Sequence, residues 1–223
     1  MRVLLLISIL TGSFDQPNVY GVTSTHPTAP DRRQAIVELV GTLRVVTSGE
    51  TWRTPSPETV KVTFRRLIAI SRKSRVARRA VIAALVETFQ SDPSDTRFYI
   101  AHLLSQLKAV ETLDLIVREL DQKGLLPSML SLNTAPMVDA IVGFGEAAVP
   151  YLEKALAVER LSLKQKACIA LGQIGGAKAK RCLERALRRE SDQDVISFIK
   201  DGLQEIVRKR YVGTRGIALK QTS

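Results

Sequence analysis

Side chains that carry chemistry are scarce in this sequence. Its 223 residues hold two histidines and two cysteines, and no His-x-x-x-His, Cys-x-x-Cys or acidic cluster has metal-ligand spacing. There is no G-x-S-x-G elbow and no G-x-x-x-x-G-K-[ST] phosphate loop, and Gly143-Phe144-Gly145 is a lone G-x-G. His26 lies in a stretch without periodicity. His102 sits on a helix beside an inward leucine, which suits a surface or groove histidine better than a catalytic one. No general acid and base are placed together, so the reading is a non-enzyme without cofactor or metal. Aromatic residues make up 5%, while Ala, Leu, Ile and Val are plentiful, the composition of closely packed helices. No apolar run approaches the roughly 20 residues needed to cross a bilayer, so no membrane span is expected. Acidic residues are outnumbered, 22 against 33 Lys plus Arg, for a formal net charge of +11. That balance suits an acidic protein, an anionic surface or nucleic acid without choosing among them, and solvation alone also accounts for it.

The longest feature at the amino terminus is the apolar run Val3 to Leu10, preceded by Arg2. It fits a short signal-peptide core with a one-charge n-region, although no A-x-A cleavage site follows. A hydrophobic first strand and a misplaced start codon are the competing readings. Residues 1–24 are taken as signal peptide and the start of a linker, and residues 25–30 as its end. This predicts a periplasmic or secreted protein, with a cytoplasmic one as the alternative.

From residue 31 onward apolar residues recur at three and four rather than at two, the period of helices. Asp31 can cap a helix running to about Val46, with Ala35, Ile36, Leu39, Val40 and Leu43 inward. TSGETWRTPS reads as a loop. Ser56-Pro57-Glu58 starts the next helix, a capping hydroxyl with proline in the first turn. Val60, Phe64, Leu67, Ile68 and Ile70 form its buried side. Residues 74–90 follow, with Ala77, Val81, Ala84, Leu85 and Phe89 inward. Then come residues 95–107 (Ile100, Leu103, Leu104, Leu107) and 109–121 (Leu113, Ile116, Val117, Leu120). Residues 135–144, 146–158, 162–174, 177–190 and 193–210 complete about ten helices with no convincing strand, and residues 211–223 read as a frayed tail.

Two stretches repeat. GEAAVPYLEKAL (145–156) and GAKAKRCLERAL (176–187) lie 31 positions apart and agree at Gly145/Gly176, Ala148/Ala179, Leu152/Leu183, Glu153/Glu184, Ala155/Ala186 and Leu156/Leu187. Such a period signals stacked supersecondary units. The glycines fit turns where the chain leaves one helix in a left-handed conformation. KQKACIALGQIGGAKAKRCLERAL (164–187) resembles a HEAT repeat, particularly the short bacterial type of phycobilisome lyase-like repeat proteins. VDAIVGFGEAAVPYLEKAL (138–156) resembles it nearly as well, and residues 100–120 more weakly. The resemblance implies an all-α fold over residues 31–210: a right-handed α-solenoid of stacked antiparallel helix pairs, with helices 31–46 and 193–210 as end caps. It also implies a scaffold that binds other macromolecules through its helical surface. Fold analogy by itself licenses no activity.

Two sets of residues stand out as candidates. Lys178, Arg181, Arg185 and Arg188 are spaced three, four and three on one helix, a single face opposite Ala179, Leu183 and Leu187. This face is the candidate anion- or partner-binding site, and a solvated helix face is its bland counterpart. A second basic run, Arg72, Lys73, Arg75, Arg78 and Arg79, surrounds a helix start. Neither set is interleaved with aromatics, which counts against single-stranded nucleic acid. Cys168 and Cys182 fall at about the same height of one antiparallel pair. They are small buried apolar residues or, in an exported protein, a disulfide, if the side chains face each other. The function expected is binding of a protein partner. Nucleic-acid or polyanion binding is the first alternative, and an accessory role resembling that of bilin lyase repeat subunits is the second.

Overall fold

The computed structural model describes residues 29–48, 51–92, 95–121 and 136–218. The proposed signal peptide, His26 and most of the linker lie outside the described residues. Ten α-helices account for nearly all of the described chain: α1 (Ala29–Gly41), α2 (Pro57–Lys73), α3 (Arg75–Ser91), α4 (Thr96–Gln106), α5 (Leu113–Arg118), α6 (Pro136–Val142), α7 (Val149–Leu156), α8 (Leu161–Ile174), α9 (Gly176–Leu187) and α10 (Gln193–Ala218). Single 3-10 turns, Val110–Thr112 and Gly145–Ala148, lead into α5 and α7. The chain divides into two compact units: residues 1–44 with 54–84, and residues 45–53 with 85–223.

In the first unit α1 packs against α2. All five apolar residues expected to face inward on α1, Ala35, Ile36, Leu39, Val40 and Leu43, are buried. The helix starts at Ala29, before the expected Asp31, because proline suits the first turn of a helix and Pro30 sits there. On α2, Phe64 and Leu67 are buried, whereas Val60, Ile68 and Ile70 are half-buried. Two hydroxyls, Thr63 and Ser71, are buried on this helix instead. Both are satisfied: Thr63 Oγ1 lies 2.9 Å from Thr42 Oγ1, and Ser71 Oγ donates to the Ile68 carbonyl at 2.7 Å. Ser56 caps α2 by accepting from the Thr59 amide at 3.1 Å.

In the second unit the helices form two rows. α4 packs on α6, α6 on α8, and α8 on α10. α5 packs on α7, and α7 on α9. Across the rows α5 meets α6, α7 meets α8, and α8 meets α9. The expected inward residues of α4 and α5 (Ile100, Leu103, Leu104, Leu107, Leu113, Ile116, Val117 and Leu120) are all buried. The repeat positions Ala148/Ala179 and Leu152/Leu183 have no exposed area. Gly145, Gly175 and Gly176 have φ of +66°, +70° and +76°, the left-handed turns that glycine was expected to supply.

One expectation about chain organisation is corrected. The stretch TSGETWRTPS is not wholly loop, because Val46–Ser48 pairs antiparallel with Thr51–Arg53 in a two-stranded sheet, Val46 opposite Arg53 and Ser48 opposite Thr51. Strands of three residues are too short to show alternation, although valine, threonine and tryptophan favour them. The Val45 amide donates to Thr96 Oγ1 at 2.8 Å and ties the hairpin to the start of α4. At the other end, the backbone of α10 is helical to Ala218. Finally, α8 and α10 cross at glycines. A Cβ on Gly202 would lie 2.9 Å from the Cys168 carbonyl oxygen and 3.1 Å from Leu183 Cδ1, and one on Gly172 would lie 3.0 Å from the Gly202 Cα. Backbone-to-backbone approach of this kind is closed to any residue with a side chain.

Candidate functional site: the basic face of the repeats

Helix α9 is strongly amphipathic. Ala179, Cys182 and Leu183 are buried, and Lys178, Arg181 and Arg188 are exposed on the opposite side. The four cations expected to form one anion-binding stripe do share a face, but two of them are engaged within the chain. Lys178 Nζ lies 3.0 Å from Glu146 Oε2. Arg185 donates twice to Glu153 Oε1, from Nη2 at 2.7 Å and from Nε at 3.1 Å. Glu153, hydrogen-bonded to the guanidinium, raises the Arg185 pKa further above its ordinary value.

The two acids come from the preceding repeat, each 32 positions before its partner. The repeat offset is 31, so each cation pairs with the acid one place before its own equivalent, Ala147 or Lys154. Both pairs form where the α7 repeat unit faces α9, and they tie consecutive repeats together. Among the described residues Arg181 and Arg188 have no acidic partner, and both are exposed, so the stripe reduces to two such cations flanking an interrepeat ion-pair ladder. The signal was present in the sequence: shifting the acids of the first repeat by one more than the period predicts both pairs. A third pair, Lys164 Nζ to Glu190 Oε2 at 2.7 Å, links α8 to the segment after α9. This ammonium group, with the Asp192 and Ser191 amides, lowers the Glu190 pKa.

Cys168 and Cys182 are free thiols in this structure and are buried, at 0% and 1% exposure. They are close enough for the charge of one to raise the pKa of the other. Burial is the larger cause, pushing Cys168 up to about 12 and Cys182 to about 11. Such thiols stay protonated and inert at neutral pH. His102 is exposed on α4. A shallow depression of about 380 Å³ on α10 is lined by Leu203, Gln204, Val207 and Arg208. Among the described residues no helix is long and apolar enough to cross a membrane.

No family model and no curated protein matches the chain. Among solved structures it is similar to an engineered protein determined by crystallography in a structural genomics programme, at 18% identity and a TM-score of 0.36, over 92% of this chain and 98% of that one. At that score the likeness carries no argument.

Proposed function

We propose that the chain is a non-enzymatic helical-repeat module, a right-handed HEAT-like α-solenoid, that holds another protein on its helical surface and works outside the cytoplasm. The observation that carries this reading is the pair of rows in the second unit. Helices α4 to α10 each pack on a counterpart one repeat away as well as on a neighbour in the chain, and like residues recur at like positions. An assembly built this way offers a long side wall of helix faces instead of one enclosed pocket, which is the surface that repeat proteins use for recognition. The partner-contacting residues proposed on that wall are Arg181 and Arg188, the two cations of the α9 stripe that the ion-pair ladder leaves free.

The test is affinity purification of the full-length chain from its native source, beside the double variant Arg181→Gln/Arg188→Gln. Exposed charges contribute little to folding, so the variant should keep its circular dichroism and melting point. The expected result is a specific protein partner whose recovery at low salt drops in the variant. Unchanged recovery overturns the proposed face. A natural nucleic-acid ligand would reveal itself by an affinity that falls linearly on a log–log salt plot with a slope set by the phosphates contacted. The mature amino terminus of the native protein tests the compartment, and an intact Met1 overturns export.

A further inference from the structure

The first unit carries most of the chain's net positive charge. Residues 29–44 and 54–84 hold eleven Lys or Arg against three Asp or Glu, nine of the cations being arginine. The concentration is highest at the corner where α2 ends and α3 begins. A single residue, Ser74, joins the two helices in extended conformation, and its hydroxyl accepts from the Ala77 amide at 3.0 Å. Arg72, Lys73, Arg75 and Arg79 surround it, all exposed, and among the described residues none has an acidic partner. Arg65 and Arg66 extend the same character back along α2, on the side away from buried Thr63, Phe64 and Leu67.

Folding alone does not explain this placement. Cations at the carboxyl end of α2 complement its dipole, but arginines in the first turn of α3 oppose the dipole there, and no acid occupies that turn. A solvated face would need charge, not charge of one sign at the wrong end of a helix. Amid these arginines stands Val76, 77% exposed, the most exposed large apolar residue among the described residues.

We infer that the α2–α3 corner binds an acidic protein segment that sets an apolar side chain between carboxylates. Arginine is suited to this because its planar fork meets a carboxylate with two parallel hydrogen bonds. Val76 decides between classes of partner. A phosphate backbone has nothing to place against an exposed valine, whereas protein interfaces combine arginine with an apolar centre. The corner also lacks a platform for bases, because Phe64 is the sole aromatic in these segments and is buried. The inference adds a second surface to the module proposed above and shares with it only the premise of a protein partner.

The test uses the full chain and a short fluorescein-labelled peptide alternating Glu with Leu, read by fluorescence anisotropy. A duplex DNA of equal charge and vesicles of anionic phospholipid are the competing probes. Arg75→Gln/Arg79→Gln should weaken the peptide roughly tenfold, and Val76→Ser should weaken it several-fold. The charge-matched control Arg118→Gln/Lys200→Gln, at two exposed cations outside both proposed surfaces, should leave it unchanged. All three variants should retain the wild-type circular dichroism. Equal weakening by the two double variants would mean attraction by net charge and would overturn the site. Tighter binding of duplex or vesicle, or indifference to Val76→Ser, would overturn the protein partner. Because the corner variants leave the α9 face unaltered, failure at the corner and failure of the repeat-face proposal are separately visible.

Discussion

Leu152 and Leu183 occupy equivalent positions of consecutive repeats, and neither has exposed area. Truncating either to alanine leaves a cavity among α7, α8 and α9, and each variant should lose about 2–5 kcal/mol in denaturant unfolding. The buried thiols make a different prediction. Their pKa values in the folded chain are about 12 and 11, above the ordinary thiol value near 8.5. The unfolded chain releases its thiol protons first as pH rises, so this contribution to stability is complete below about pH 8.5 and is lost progressively above it. A Cys168→Ala/Cys182→Ala variant should show a flatter stability profile between pH 8.5 and 11. Glu190 has the opposite sign. Its lowered pKa gives stability that is present above the ordinary glutamate value near 4.3 and lost as pH falls through the folded value. Chemical denaturation of Glu190→Gln against pH should show a smaller loss in that acid range than wild type.

At the scale of the element, the inward residues of α1, α4 and α5 were legible because each helix has one wet and one dry side, and the 3.6 period records which is which. α2 was read less well, since its dry side includes Thr63 and Ser71, whose burial depends on hydrogen bonds that composition does not reveal. The glycine crossing of α8 and α10 was illegible for a related reason. A glycine inside a helix looks like a small local penalty until its neighbour's backbone is known. That neighbour makes a sharp prediction. Gly202→Ala would improve helix propensity yet press a methyl group to within 2.9 Å of the Cys168 carbonyl, and should destabilise the chain by about 1–3 kcal/mol. Gly41→Ala, at the end of α1 with nothing within 4 Å, is the control and should be neutral or slightly stabilising. Thermal unfolding of the two variants measures the contrast. The basic stripe of α9 was half legible: its face could be read from spacing, but Glu146 and Glu153 reach it only through the stacking of one repeat on the next.

For the molecule as a whole, the sequence announced helices, repeats and the basic run Arg72 to Arg79, but not that most of the net +11 falls in one compact unit, because the unit boundaries come from packing. Far-ultraviolet circular dichroism should be dominated by helix, with the hairpin of six residues too small to register. The crossing at Gly202 has one more consequence. The carbonyl of Cys168 lies under α10, so the last helix covers the residue that carries a buried thiol. An alkylating reagent in excess can reach that buried sulfur only when the helices packed around it part, and the modification rate then reports how often they do so. The chain thus contains its own gauge of local opening, readable by mass spectrometry without any added label, and Gly202→Ala, by straining the contact of α10 with α8, should make that gauge run faster.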